Sequence, residues 1–228
     1  MLIAEDLLLL LTDDESGKAK GSTPVDLGLA GALLADLALL QRVGIGEDGK
    51  HVKKGRLVVA DASPTGDTLL DGALGRLARY VGKRPDKAVG ALTKETRRAV
   101  YLRLAARGLV RQHESKLFGI TLRTTWPAQE RSHEQVLRAH LALCVGSGRT
   151  PTERDAALLA ILGAIGRLDI VAGGAQTTLT RKDIRRANRE MSERSWVSAA
   201  VRDAVKRASA GATTAGASVA ASTAAMGS

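Results

Sequence analysis

Lys94, Arg97 and Arg98 are spaced three and four apart, so a helix would put them on neighbouring positions of one face. Cations grouped this way suit one chemistry above others: holding a phosphate or another compact anion. Arg103 and Arg107 continue the series on a partly rotated face. The wider stretch 76–123 holds 13 basic and 3 acidic residues, a local charge of +10, equal to the net charge of the whole chain. Residues 1–50 run the other way, with 4 basic and 9 acidic groups. A field this unevenly placed points to an anionic partner: nucleic acid, a lipid surface or an acidic protein. The rival reading is a solvated helix face.

Other constellations carry less. Gly44-Ile45-Gly46-Glu47-Asp48-Gly49 fits a dinucleotide fingerprint in letters only. A helix precedes it, a strand follows, and Glu47 and Asp48 would repel a pyrophosphate, so it reads as a hairpin turn. His133-Glu134 opens like a zinc-protease motif, but Leu137 stands where the second histidine belongs. His140 and Cys144 share a helical face, yet two ligands make an incomplete metal site; a structural histidine and a buried cysteine are the expectation. No Ser/His/Asp set or paired carboxylates stand out. The expectation is a protein that is not an enzyme and needs no metal or cofactor.

The elements that must position these residues are mostly helical. The 228 residues are rich in Leu and Ala, and aromatics make up only 2%. That scarcity argues against a single-strand binder that stacks bases on rings. Leu2–Leu11 reads as a buried helix. Thr23-Pro24-Val25-Asp26 starts a second, running to about Leu40. Val43–Ile45 and Arg56–Ala60 form a first hairpin, and a helix follows Asp67 to about Tyr80. A short helix follows Asp86. Thr93 is placed to cap a helix ending at Arg107 before Gly108. Leu109–Val110 and Leu117–Thr124 suggest a second hairpin with His113-Glu114-Ser115-Lys116 at its tip. Three helices follow: 132–145, one opened by the capping box Thr150-Pro151-Thr152-Glu153, and 180–207. The last carries nine basic and four acidic residues over 181–207 and an apolar face of Val197, Ala200, Val201, Ala204 and Val205.

The fold class is therefore mainly α, one globular helical domain over 1–208 with one or two β-hairpins. Residues 209–228 are 18 of 20 Ala, Gly, Ser or Thr and read as a disordered tail. The lone cysteine implies a reducing cytoplasm. The N-terminus lacks the basic region of a signal peptide, and the strongly apolar run 156–166 is too short to span a bilayer. Leu117 and Phe118 beside Lys116 could enter a lipid headgroup layer, pair with another subunit or fold onto the core.

Ser63-Pro64-Thr65-Gly66-Asp67-Thr68-Leu69-Leu70-Asp71 closely resembles the Ser-Pro-Thr-Gly-Asp-x-Leu-Leu-Asp segment of the Golgi phosphoprotein 3 family. Leu2–Leu11, Leu29–Val43, Arg97–Val110 and Thr152–Leu162 agree with it in order and spacing, and the Ala- and Arg-rich composition suggests a bacterial member. The resemblance implies a non-enzymatic peripheral membrane protein on the inner face of the membrane. It implies recognition of phosphatidylinositol 4-phosphate in a basic pocket and self-association through the hairpin. Of the family's pocket, two basic positions match Lys94 and Arg97. Its tryptophan and arginine fall near Gly21 and at Ala30, which do not match. Lys18 and Lys20 in the first loop are the candidates for replacement charge, and Arg98 joins Lys94, Arg97 and Lys20 as a phosphate-binding candidate. The alternative from the residues alone is a winged-helix-like nucleic-acid-binding module, a helix followed by a basic hairpin, at a pI near 10.2.

Overall fold

The computed structural model describes residues 1–19, 23–47, 52–117, 120–146, 150–172, 180–194 and 197–210. Helix α1 (Ile3–Leu11) is the axis of the molecule: every one of its residues is buried, including Glu5 and Asp6. A leucine run with no polar face has only the interior to occupy. Helix α2 (Thr23–Leu39) lies against it, and α7 (Glu153–Ala164) packs on both. Leu7, Leu8, Leu11, Leu29, Leu33 and Leu37 are almost wholly removed from water, each contributing about 1.5–3 kcal/mol.

Around this centre sit α3 (Thr68–Leu77), a 3-10 turn (Ala78–Tyr80), α4 (Pro85–Leu92) and α5 (Thr96–Ala106) on one side. On the other are α6 (Ser132–Gly146), the short α8 (Asp169–Ala172) and α9 (Arg181–Arg194). A further helical stretch covers 197–210. Its face of Val197, Val201, Ala204 and Val205 is buried, as its spacing predicts. Gly31 makes this docking possible, because a Cβ there would lie 2.4 Å from Val205 Cγ2.

Two antiparallel hairpins complete the domain, β1 (Val43–Ile45) with β2 (Leu57–Val59), and β3 (His113–Leu117) with β4 (Ile120–Thr125). The mainly helical class with two hairpins is thus the observed architecture. The second hairpin sits later than predicted. Residues 113–116 form β3 itself rather than the tip, because Val110 is drawn into the core and bridges Ala128. Two further starts shift. Thr93 closes α4, its hydroxyl donating to the Gly90 carbonyl, while Glu95 in a left-handed conformation (φ 64°) precedes α5. The capping box of α7 pairs Thr152 with Asp155, not Thr150 with Glu153. Of the tail, residues 211–228 lie outside the described residues.

The nine-residue motif is a structural clamp. Asp67 caps α3, accepting from the amides of Leu69 and Leu70. The Asp71 carboxylate accepts from both the amide and the hydroxyl of Thr65, which holds its pKa below the usual range. Arg42 donates to the Ser63 hydroxyl and pairs with Asp61. Gly66 takes φ 81°, where a side chain would strain the turn.

The start of α1 is capped from outside. Asp36 of α2 accepts the Ile3 amide at 2.9 and 3.1 Å, since Leu2 has no oxygen to offer. Burial pushes the Asp36 pKa from 3.8 up to about 6, against the pull of the Ile3 amide and Arg154. A raised carboxyl pKa means that the native state binds more protons than the unfolded chain between these values. The stability Asp36 contributes is therefore full below pH 3.8 and lost as pH rises through about 6. Asp36→Asn keeps an oxygen for Ile3 and cannot ionise. Relative to wild type, this variant should gain about 2.5 kcal/mol between pH 4 and pH 7, measured by urea unfolding at both. A difference that does not change with pH would contradict the assignment.

Candidate functional site: a cationic cleft beside the second hairpin

Lys94, Arg97 and Arg98 line one open cleft of ≈ 1050 Å³. Lys18 enters it from the loop after α1, and Arg123 from β4. Five cations thus converge from three separate stretches of chain. Three carboxylates share the lining, Asp26, Glu95 and Glu114. Arg97 Nε donates to Asp26 Oδ1 at 2.8 Å, which ties α5 to the first turn of α2 and fixes the guanidinium. Gln112 donates to Glu114 at 2.8 Å.

Helix α5 begins in this cleft with no side-chain cap on its first amides and no acidic residue in its first turn. The positive end of its dipole therefore adds to the cations. Lys94 and Arg98 are exposed, whereas Val100, Tyr101 and Leu104 anchor the helix in the core.

The floor is aromatic. Trp126 stacks on Tyr101, ring centroids 5.0 Å apart and planes within 3°. The Tyr101 hydroxyl shares a 2.9 Å hydrogen bond with Thr12, and burial raises its pKa. The Trp126 amide donates to the Gly17 carbonyl at 2.8 Å. Gly17 has φ 61°, and a Cβ there would overlap the Trp126–Pro127 backbone at 2.2–2.4 Å. The loop carrying Lys18 is thus pinned against the end of the hairpin. Trp126 is a site residue the sequence reading missed. Its place at the end of a basic strand was the available signal.

Arg103 and Arg107 do not join the cleft. Both donate to Glu5 Oε1, at 3.1 and 3.2 Å, and Arg103 also makes a two-pronged pair with Asp67. Burial alone would raise the Glu5 pKa, but the Leu2 amide and the two arginines outweigh it and hold it below 4.5. The basic series is therefore divided. Its first half faces solvent in the cleft, and its second half neutralises a carboxylate in the core.

Lys20 and Phe118 lie outside the described residues; Leu117 ends β3. Ala30 is fully buried in α2, so no side chain there reaches the cleft. The hairpin presents another apolar residue, Leu122 on β4, 65% exposed. The glycine pattern at 44–49 begins in β1 and leads toward β2, as a hairpin turn would, with 48–51 outside the described residues. His133 pairs with Asp6 at 3.0 Å, and Glu134 pairs with Arg138. Among the described residues no helix is long and apolar enough to cross a membrane.

The molecule is thus a helical domain with an open cationic cleft at the foot of a β-hairpin. The sequence model of the Golgi phosphoprotein 3 (GPP34) family matches residues 3–208, and the chain belongs to that family. No curated protein matches it.

Proposed function

We propose that this chain is a non-enzymatic peripheral membrane protein whose cleft receives the phosphorylated headgroup of an anionic phospholipid, phosphatidylinositol 4-phosphate or a headgroup of like chemistry. The observation that carries this reading is the convergence of Lys18, Lys94, Arg97, Arg98 and Arg123 on one open cleft. Family membership over residues 3–208 supports it. A phosphomonoester brings nearly two negative charges and three acceptor oxygens, which lysine ammoniums, guanidiniums and the first amides of α5 can satisfy together. Each Lys or Arg near an anionic surface adds about 1 kcal/mol, screened beyond ~8 Å at physiological salt. A handful of such groups gives reversible binding. Leu122 on β4, exposed beside the cleft's hairpin, offers a second, apolar contact with the headgroup layer. The same hairpin is the surface through which two copies would self-associate.

A duplex-binding module is the weaker reading for a specific reason. A helix laid in a groove needs a polar, cationic outer strip. Within α5 the exposed positions are Arg98, Leu102 and Ala106, so the middle of the strip is apolar and its further cations, Lys94 and Arg107, stand beyond its two ends.

Co-sedimentation with vesicles tests the proposal. The panel holds neutral lipid alone, then the same lipid with phosphatidylglycerol, cardiolipin or phosphatidylinositol 4-phosphate. The expected result is pelleting with anionic vesicles, strongest with the phosphomonoester and weaker at higher salt. Failure to pellet with any of them, together with retention on duplex DNA, would move the assignment to nucleic acid.

A further inference from the structure

We propose that His140, Cys144 and Asp155 form a binding site for a divalent metal of the zinc class, joining α6 to α7. His140 and Cys144 stand one turn apart on α6, so their side chains share a face. Asp155 comes from the first turn of α7. His140 Nε2 lies 3.1 Å from Asp155 Oδ2 and 3.7 Å from Cys144 Sγ, and all three donor atoms fall within 4.8 Å of one another. Around a tetrahedral zinc with ordinary bond lengths, nitrogen, sulfur and oxygen ligands sit roughly 3.3–3.6 Å apart. The nitrogen–oxygen and nitrogen–sulfur separations already lie close to those values, and the thiol and carboxylate, within 4.8 Å of each other, would draw together by about an ångström to close on an ion.

The direction of the contacts separates this from a catalytic relay. A Cys–His–Asp relay uses the two ring nitrogens in series, one toward the thiol and one toward the carboxylate. Here both contacts converge on Nε2. The three donor atoms are mutual neighbours, as ligands of one ion would be.

The carboxylate is positioned in advance. Asp155 Oδ2 accepts from the Thr152 amide at 3.0 Å and the Thr152 hydroxyl at 2.7 Å, the capping box of α7. Such outer hydrogen bonds are what hold metal-binding carboxylates in place. Cys144 and Asp155 are buried while the His140 side chain is 33% exposed. One coordination position therefore opens to solvent, where water would complete the set. Binding takes Cys144 as the thiolate, its proton passing to solvent, and His140 through Nε2 with its ring proton on Nδ1. This site shares no residue with the cationic cleft, and it stands or falls independently of lipid binding.

The test titrates the metal-free chain with Co²⁺ alone, then with Zn²⁺. The expected result is a thiolate-to-cobalt charge-transfer band that saturates at one equivalent and is bleached by Zn²⁺. Cys144→Ser should abolish the band, and His140→Gln should weaken cobalt affinity more than ~10-fold. Zn²⁺ at 100 times its Kd should raise the wild-type Tm by about 5–10 °C, with no shift in Cys144→Ser. Circular dichroism establishes that each variant is folded. A wild-type chain without the band, or a band that survives in Cys144→Ser, would overturn the proposal.

Discussion

Arg103→Met is expected to lower stability by about 3 kcal/mol, while Arg98→Met, five residues earlier on the same helix, should change it by less than about 0.5 kcal/mol. The contrast follows from where each charge goes. Glu5 is wholly buried in α1, and Arg103 is one of two arginines that neutralise it. Removing Arg103 leaves that carboxylate in the core with Arg107 and the Leu2 amide alone. It also breaks the pair with Asp67, the residue that caps α3. For a chain of this size the Tm should fall by about 6–12 °C. The deficit should shrink on acidification. Arg103 helps to hold the Glu5 pKa below 4.5 in the native state, so the stability it secures is present above that value and lost as pH falls through the native pKa. Thermal unfolding of the three proteins at pH 7 and pH 4 reads both effects. Equal Tm values for the two variants would refute the division of the basic series.

The second large effect concerns binding. Lys94→Glu combined with Arg98→Glu reverses two exposed charges and leaves the Arg97–Asp26 bond between α5 and α2 in place. Reversing two cations changes the facing charge by four units, so affinity for anionic vesicles should fall by about 10²–10³-fold. The Tm should stay close to wild type, because neither side chain is buried. A loss of binding together with a loss of fold would say instead that these residues are structural. Vesicle binding of the wild-type strength would place the lipid contact elsewhere.

These two outcomes also mark what the sequence could and could not convey. Leucine runs, prolines near helix starts and the glycine after α5 make the helices legible, because local periodicity and end signals report local structure. The clustering of Lys94, Arg97 and Arg98 is legible for the same reason: one helix face is a local fact. The fate of Arg103 and Arg107 is not local. It depends on Glu5, about a hundred residues away, and an acidic residue inside a leucine run does not say which cations will cover it. Trp126 is hidden likewise, since its stacking on Tyr101 is a product of how the loop through Gly17 closes. The second hairpin was displaced because Leu109–Val110 reads as strand from composition, whereas the core claims Val110. The motif at 63–71 carries the family resemblance, yet its hydrogen bonds serve a turn, a cap and the Arg103–Asp67 tie between α5 and the start of α3. It marks the fold and does not line the cleft.

Differential lysine labelling on vesicles is the most direct test of where the membrane contact lies. Each lysine's acylation rate is followed by mass spectrometry with the protein bound to vesicles containing phosphatidylinositol 4-phosphate, and again with the protein alone. Lys18 and Lys94, exposed in the cleft, should be protected on binding, while the exposed Lys182 and Lys206 should react at unchanged rates. Protein that pellets with the vesicles while Lys18 and Lys94 react as fast as in solution would contradict the assignment of the cleft as the headgroup site.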